Sequence, residues 1–306
     1  MSRWLVTGAG GMLGSDLADA LERAGESVSG LSRADLDITD EAAVLAAVRG
    51  CAPDVVVNCA AWTAVDEAES REDEALAVNG RGAGHVAAAC AASGARLVHL
   101  STDYVFGGDA TRPYTERDAP GPRTAYGRTK LAGEKAVLGA LPGTGYVVRT
   151  AWLYGAHGRN FARAMIRLER ERATVTVVDD QRGQPTWTAD VAGRIIALAR
   201  SGAAGGIYHV ASSGEATWFE FAREIFRLLG ADPARVRPVR SSEYPRPAPR
   251  PSYSVLGHEA LPALGIEPIG HWQTALQRAF PALRAGTGSV APQPGSMFHA
   301  GAVVRE

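Results

Sequence analysis

The sequence lacks the features that would place the protein in a membrane or on nucleic acid. No apolar run approaches the roughly 20 residues that a membrane-spanning helix needs. The N-terminus, MSRWLVTGAGG, enters a strand-like run without the pattern of a secretory signal peptide. The net charge of −1 provides no basic excess for electrostatic binding to nucleic acid or lipid. We therefore expect a cytoplasmic protein with no nucleic-acid or membrane partner.

Cysteine is also scarce, and its pattern excludes several kinds of site. The three residues, Cys51, Cys59 and Cys90, are an odd number and lie in apolar surroundings. Their spacing matches no known metal-ligand motif, and a disulfide framework would need an even number. We predict reduced, buried thiols that serve in packing, and we predict no metal site from these residues.

A regular alternation of two kinds of segment occupies the first half of the chain. Short β-branched runs such as RWLVTG (3–8) and DVVVNCA (54–60) alternate with alanine-rich helical stretches. Continuous apolar strands separated by crossover helices are typical of a buried parallel sheet. We therefore predict an α/β fold: a doubly wound, parallel, Rossmann-type sheet with a smaller C-terminal substrate-binding lobe.

The alternation loosens after Gly155, which indicates a second unit. The amphipathic stretch 217–230, TWFEFAREIFRLLG, should bury Phe219, Phe221, Ile225 and Leu228. From about residue 285 the chain is rich in Gly, Ser, Pro and Ala, which predicts a flexible tail. The expected units are a dinucleotide-binding Rossmann domain over 1–155, rejoined by about 181–210, a substrate-binding lobe over 156–180 and 211–284, and the tail, 285–306.

A glycine-rich loop links the first predicted strand to the first predicted helix. VTGAGGMLG places Gly8, Gly11 and Gly14 at the spacing G-x-x-G-x-x-G. In this context the triplet predicts a dinucleotide phosphate site. Gly8 allows the tight turn, Gly11 lets the backbone approach a pyrophosphate, and Gly14 lets the helix pack on the sheet. The helix N-terminus then faces the phosphates.

The end of the second strand bears on which nicotinamide cofactor is used. NAD-binding folds usually place an acidic residue there, on the adenosine ribose. Here the strand ends in GLSRADLD, and Arg33 could pair with the 2′-phosphate of NADPH. A solvated surface arginine is the alternative. We predict NADPH, with NADH as the second choice, and expect Asp37 and Ile38 to flank the adenine.

A tyrosine and a lysine stand four residues apart in PRTAYGRTKLAGEKAV. On a helix, Tyr126 and Lys130 would share one face. The ammonium would lower the tyrosine pKa, and the tyrosine would then act as general acid for a carbonyl oxygen that receives hydride. HLSTDYVF ends the fourth strand, and Thr102 could hydrogen-bond the same oxygen. A capping hydroxyl is the alternative for Thr102.

These residues together resemble the extended branch of the short-chain dehydrogenase/reductase superfamily. Longer segments narrow the resemblance to the dTDP-4-dehydrorhamnose reductase family, in register from about residue 3 to residue 280. VDDQRGQPT lies far from the nucleotide-binding motifs and therefore adds independent weight. The segments that resemble this family are PDVVVNCAAWTAVDEAE, LVHLSTDYVFGG, AYGRTKLAGEKAV, RTAWLYG, NFARAMIRL, VVDDQRGQPTW and GIYHVA.

The resemblance implies a reaction and a set of site residues. A nucleotide-linked 4-keto-6-deoxy-L-sugar, dTDP-4-dehydro-L-rhamnose, would be reduced at C4 to dTDP-L-rhamnose. Tyr126 would deliver the proton and Lys130 would hold the cofactor ribose. The implied cofactor-binding residues are Gly8, Gly11, Met12, Leu13, Gly14, Arg33, Asp37, Ile38, Ala60, Ala61, Thr63, Tyr126 and Lys130, and the implied substrate residues are Thr102, Asp103 and Trp152.

Several functions share this fold and stay open at this point. A 4,6-dehydratase needs an Asp-Glu pair after the threonine, but Tyr104 follows Asp103 here. An epimerase would retain its cofactor tightly, which the sequence does not decide. A sibling reductase, such as a dTDP-dihydrostreptose synthase or an antibiotic-sugar 4-ketoreductase, would use the same catalytic residues. A non-catalytic regulatory subunit is the alternative from a different class.

Two further properties rest on the family or on general frequency. Some family members are described as magnesium-dependent, and Asp16 falls where one of their acidic residues would be. The sequence shows no compact carboxylate cluster, so Mg²⁺ is allowed by the resemblance without being indicated by the residues. A homodimer is the commonest oligomer and is our expectation.

Overall fold

The computed structural model describes residues 1–285 and 302–303. Its strands are β1 (Arg3–Thr7), β2 (Ser27–Leu31), β3 (Val55–Asn58), β4 (Arg96–Thr102), β5 (Gly145–Thr150), β6 (Leu153–Tyr154), β7 (Val175–Val178), β8 (Arg182–Gly183), β9 (Thr186–Trp187), β10 (Gly206–His209), β11 (Ser212–Ser213), β12 (Ala216–Thr217), β13 (Val236–Val239), β14 (Ile269–His271) and β15 (Ala302–Val303). Its helices are α1 (Met12–Arg23), α2 (Glu41–Cys51), α3 (Val65–Ala68), α4 (Glu72–Leu76), α5 (Ala83–Ser93), α6 (Ala125–Ala140), α7 (Phe161–Glu171), α8 (Thr188–Arg200), α9 (Trp218–Leu228), α10 (Ala260–Ala263) and α11 (Trp272–Ala285), with a π-helical turn at Ala77–Gly82.

The centre of the fold is a six-stranded sheet in the order β10-β5-β4-β3-β1-β2. Every pair of neighbours in it is parallel. Strands β3 and β5 are buried along their whole length, because helices cover both faces of the sheet. The predicted doubly wound parallel α/β fold is confirmed.

Each face of the sheet has its own hydrophobic core. On one face α1 and α8 pack through Leu17, Leu21 and Ile195 against strand residues such as Val57. On the other face the core is formed by α2, α5 and α6. The return of α8 and β10 to the large sheet follows from the apolar face of α8 and from the pairing of β10 with β5.

A third core joins α7, α9, α11 and β7 in the second half of the chain. Phe221 and Ile225 are completely buried there, as the amphipathic pattern predicts. Phe219 and Leu228 are only partly buried and pack at the edge of this core. The division into a Rossmann domain and a lobe at the stated boundaries stays a prediction.

Most of the predicted flexible tail lies outside the described residues. Ala285 ends α11, and the next described residues, Ala302 and Val303, form β15. This strand pairs antiparallel with β7, through Ala302 with Val177 and Val303 with Thr176. Within the described ranges, no helix combines the length and apolar character needed to cross a membrane.

The order of the strands determines where a ligand can bind. From β1 the chain proceeds to β2 on one side of the sheet and to β3 and β4 on the other. In such sheets the crevice at the carboxyl ends of the strands, where the order reverses, is the usual binding site. The loops after β1, β2, β3 and β4 all reach this crevice.

Candidate active site

A cleft of about 1610 Å³ opens at the carboxyl ends of the central strands. Every residue assigned from the sequence to the cofactor or the substrate lines it. These residues are Gly8, Gly11, Met12, Leu13, Gly14, Arg33, Asp37, Ile38, Ala60, Ala61, Thr63, Thr102, Asp103, Tyr126, Lys130 and Trp152. The fold therefore brings the whole predicted set together, and the role of each residue stays a prediction.

The glycine loop is held in a geometry that side chains would prevent. Gly8 has a φ of +68°, and a methyl group on it would lie 2.6 Å from the Ala60 nitrogen. A methyl group on Gly14 would lie 2.3 Å from the Gly8 oxygen, so α1 packs directly on the loop. Gly11 precedes α1, whose first turn has neither a side-chain cap nor an acidic residue. This helix N-terminus suits an anion.

The two carboxylates of the loop after β2 both accept local hydrogen bonds. Asp35 accepts from the Ser32 hydroxyl at 2.6 Å, and Asp37 accepts from the Thr39 amide at 2.9 Å. These contacts lower the pKa of both carboxyl groups. Arg33 is exposed at the cleft, and its nearby charge lowers the pKa of Asp37 further. Arg33 is thus the charged group of this loop that can bind an incoming ligand.

Asn79 organises the loop that carries Ala60, Ala61 and Thr63. Its amide oxygen accepts from the Trp62 backbone at 2.9 Å, and its nitrogen donates to the Trp62 oxygen at 3.1 Å. The same nitrogen donates to the Thr129 hydroxyl of α6, also at 3.1 Å. Asn79 was not predicted from the sequence. The sequence feature that could have indicated Asn79 is the presence of a poor helix former inside an otherwise helical stretch, AVNGRGAGH.

The start of α6 places Tyr126 beside Thr102. Thr124 caps the helix by accepting from the Gly127 amide at 3.0 Å. A methyl group on Gly127 would lie 2.2 Å from the Tyr104 oxygen, so the helix meets the end of β4 directly. The Thr102 hydroxyl lies next to the Tyr126 phenol and lowers the Tyr126 pKa in part. Burial has the larger effect and raises this pKa to about 12.

Lys130 does not perform the electrostatic role predicted for it from the sequence. Its ammonium donates to the Leu100 oxygen at 2.5 Å and lies 3.5 Å from His99 Nε2. Burial lowers the Lys130 pKa to about 8. The predicted lowering of the Tyr126 pKa by Lys130 is wrong for this structure, because the amine is turned toward β4 and burial of the phenol dominates.

Asp103 is a buried carboxyl group on the substrate side of the cleft. It accepts from the Thr102 hydroxyl at 2.9 Å and is only 2% exposed. Burial raises its pKa to about 6, against hydrogen bonds from Ser254 and Thr102. Its second oxygen, Oδ2, has no hydrogen-bond partner within the described residues.

Trp152 is held between two neighbours and adopts a strained backbone, with a φ of +43°. One face stacks on Trp218, with ring centroids 3.6 Å apart and planes 7° apart. Gly183 lies over the Trp152 ring as well, since a methyl group on it would be 2.4 Å from Cε2 and 2.7 Å from both Cζ2 and Nε1. The ring therefore offers its edge, and not a free face, to the cleft. Neither Gly183 nor Trp218 was predicted.

Arginines on and before α7 form one wall of the cleft. Arg159, Arg163 and Arg167 are spaced by four residues and all line it. Arg163 also donates to the backbone oxygens of Ala156 and Gly158, at 3.1 and 2.8 Å. The i, i+4 spacing was the signal that could have identified this cationic wall.

An acidic pair on α1 tests the magnesium expectation. Ligand atoms of Asp16, Asp19 and His157 lie within 4.8 Å of one another. Asp16 already accepts from the Thr188 hydroxyl and lies 3.5 Å from His157 Nε2. Mg²⁺ is usually held by one or two carboxylates together with several waters, and exposed acidic groups of this kind are common without an ion. This group therefore does not by itself indicate a magnesium site, and we derive no step through a metal.

Similarity to known families agrees with this geometry. A family model described as the RmlD substrate binding domain matches residues 2–285. The chain belongs to this family. The predicted resemblance is thereby confirmed along nearly the whole described chain.

Individual relatives of the family are close. The dTDP-4-dehydrorhamnose reductase of Streptomyces griseus is 59% identical over 296 residues, covering 95% of this chain and 97% of the relative. The dTDP-4-keto-6-deoxy-D-glucose reductase of Streptomyces niveus is 58% identical over 283 residues, covering 92% and 98%. The crystal structure of dTDP-4-dehydrorhamnose reductase from Bacillus anthracis in complex with NADP has a TM-score of 0.89 and 39% identity, covering 92% of this chain and 99% of that one.

Proposed function

We propose that this protein catalyses the NADPH-dependent reduction of the C4 keto group of dTDP-4-dehydro-L-rhamnose to dTDP-L-rhamnose. The observation that carries the proposal is the neighbouring pair Thr102 and Tyr126, which lies in the same cleft as the glycine loop. The close relatives named as dTDP-4-dehydrorhamnose reductases support the same reaction. The protein is therefore proposed to be an oxidoreductase of nucleotide-sugar biosynthesis.

The residues of the cleft fit a nicotinamide dinucleotide phosphate. Gly8 and Gly14 leave space that a side chain would fill, and the uncapped start of α1 suits the pyrophosphate. Arg33 is the available cation for a 2′-phosphate, which favours NADPH over NADH. Ala60, Ala61 and Thr63 would line the nicotinamide side. NADPH, when bound, supplies the hydride.

The chain itself supplies and directs the proton. A raised pKa keeps Tyr126 protonated throughout the neutral range, which is the state required to donate to a developing alkoxide. Thr102 would orient the ketone oxygen by turning its hydroxyl, which donates to Asp103 in the structure, toward the ligand. Lys130 would hold a cofactor ribose hydroxyl through the N–H that the Leu100 oxygen does not occupy.

The substrate would be held by the opposite wall of the cleft. The arginines of α7 provide positive charge for the diphosphate of a nucleotide sugar. Asp103 and the edge of Trp152 would contact the sugar.

A sibling reductase that makes another deoxysugar is the second candidate. The Streptomyces niveus relative, named for a different sugar, is 58% identical, against 59% for the Streptomyces griseus relative. Overall identity therefore does not separate the two. The test is to supply dTDP-4-dehydro-L-rhamnose and NADPH, follow NADPH oxidation, and identify the product by NMR. Formation of dTDP-L-rhamnose supports the proposal, and turnover only with other 4-keto sugars supports the sibling function.

Location and assembly belong to the same proposal. We place the enzyme in the cytoplasm, where nucleotide sugars and NADPH are available. A homodimer stays our prediction, and light scattering of the purified protein would test it. A stable complex with another protein, combined with no NADPH oxidation on any 4-keto sugar, would favour the regulatory-subunit alternative.

A further inference from the structure

A buried polar chain runs beneath the cleft, from β1 to Lys130. It begins at Thr7, and its next member is Asn58, the last residue of β3, which is completely buried. The Asn58 oxygen accepts from the Thr7 hydroxyl at 2.7 Å and from the Ala60 amide at 3.2 Å. A backbone N–H can only donate, so it determines which end of the Asn58 side chain is the oxygen. The Asn58 nitrogen must therefore face His99.

The orientation of Asn58 decides the tautomer of His99. Asn58 Nδ2 lies 3.1 Å from His99 Nδ1 and can only donate. Nδ1 must then accept, and the single proton of the neutral ring is on Nε2. Burial, with the nearby Lys130 charge, lowers the His99 pKa well below its ordinary value, so the ring is neutral. His99 is completely buried in the middle of β4.

The Nε2–H of His99 points at the amine of Lys130. Nε2 and Nζ are 3.5 Å apart, and Gly133 covers the ring nearby. An ammonium has only donors to offer this N–H, whereas a neutral amine has a lone pair that can accept from it. The other titratable groups acting on the amine are Glu134 and Cys59, both of which favour the charged form, while burial opposes it.

We propose that His99 is a positioning residue for Lys130, held by Asn58 as its Nε2–H tautomer so that the amine turns a lone pair toward the ring and one N–H toward the cleft. The donor that faces the amine stabilises its neutral form relative to the ammonium. The tautomer and the amine are properties of the protein alone. Only the effect on turnover rests on the proposed function.

The tautomer can be observed directly. Long-range ¹H–¹⁵N NMR of the protein labelled in its seven histidines distinguishes the two neutral tautomers, and His99→Asn assigns the signal. We expect the Nε2–H pattern for His99 from pH 6 to pH 9. In Asn58→Leu, which removes the donor to Nδ1, the proton should move to Nδ1 while Lys130 is charged. An Nδ1–H pattern in the unaltered protein would overturn the proposal.

The amine can be titrated separately. The chain has only two lysines, so Lys135→Arg leaves the ¹³Cε signal of Lys130 alone. The Lys130 pKa should rise by roughly one unit in Asn58→Leu and in His99→Asn, which is the effect of losing about one hydrogen bond. The alkaline limb of kcat/KM for the ketone should move with it.

Thr7→Val is the matched control. It removes one hydrogen bond to Asn58 and leaves the Ala60 amide to orient the side chain, so the Lys130 pKa should not move. An unchanged pKa in Asn58→Leu, or an equal shift in Thr7→Val, would overturn the proposal. If the unaltered protein does not reduce the ketone, the proposed function fails, while both NMR measurements still decide the role of His99.

Discussion

Substitution of Gly183 by alanine tests the position of Trp152 most sharply. The added methyl group would lie 2.4 Å from Trp152 Cε2, which is about 1 Å closer than an ordinary carbon–carbon contact. Trp218 stacks on the ring at 3.6 Å and prevents it from retreating. The ring must therefore tilt, or the strand β8 must move. Overpacking of this kind costs about 1–3 kcal/mol of unfolding free energy.

Gly183→Ala should weaken the binding of the nucleotide sugar and leave the binding of NADPH unchanged. We expect the KM for the nucleotide sugar to rise by about tenfold, equivalent to about 1.4 kcal/mol, while the KM for NADPH stays unchanged. Steady-state kinetics and chemical denaturation of the same preparation measure both quantities. Gly193→Ala is the control, because that helical glycine of α8 has open space around it and alanine should fit.

A double-mutant cycle links the effect to the ring. In Trp152→Phe the smaller ring leaves room for the methyl group, so Gly183→Ala should add much less to the KM than it does in the unaltered enzyme. Equal effects of Gly183→Ala on the KM in both backgrounds would refute the proposed contact between Gly183 and the Trp152 ring. So would a Gly183→Ala enzyme with an unchanged KM for the sugar and unchanged stability.

Three other substitutions address the remaining parts of the site. Tyr126→Phe should reduce kcat by about 10²–10⁴-fold or more with NADPH binding nearly intact, and fluorescence titration would show whether only the proton donor was lost. Arg33→Gln should lower kcat/KM with NADPH by about 10–100-fold and with NADH very little; an equal loss with both would remove Arg33 from the 2′-phosphate. Asp103→Asn should be more stable at pH 8 by about 3 kcal/mol, because burial raises the Asp103 pKa from 3.8 to about 6. A raised pKa favours folding below pH 4 and this advantage is lost as the pH rises through 6, so the variant and the unaltered protein should converge in acid, and denaturation across pH 4–8 would show it.

The fold and the residues of the site could be predicted from the sequence because they follow from local patterns. Apolar runs identify β3 and β5 as buried strands, and the glycine spacing identifies the loop after β1. The carboxyl ends of parallel strands converge, so the position of Thr102 at the end of β4 is enough to predict that it lies near the glycine loop. Tyr126 joins them because Thr124 and Gly127 start α6 at the end of β4.

What the sequence did not predict depends on contacts between distant segments. The Lys130 amine donates to the Leu100 oxygen, and the spacing of residues along the chain does not predict this orientation. Trp152 is enclosed by Gly183 and Trp218, which lie 31 and 66 residues away in the chain. Burial also raises the Tyr126 pKa, whereas the sequence predicted that it would be lowered. Motifs specify which side chains meet, whereas orientation and desolvation arise only from packing.

The most direct test of the proposed reaction is to follow the hydride. The protein would be supplied with dTDP-4-dehydro-L-rhamnose and NADPH carrying deuterium at the transferable C4 position of the nicotinamide, and the product would be examined by NMR. We predict dTDP-L-rhamnose with deuterium at C4 of the sugar and one NADPH consumed per product. Deuterium at another sugar carbon, the opposite configuration at C4, or no NADPH consumption would contradict the account.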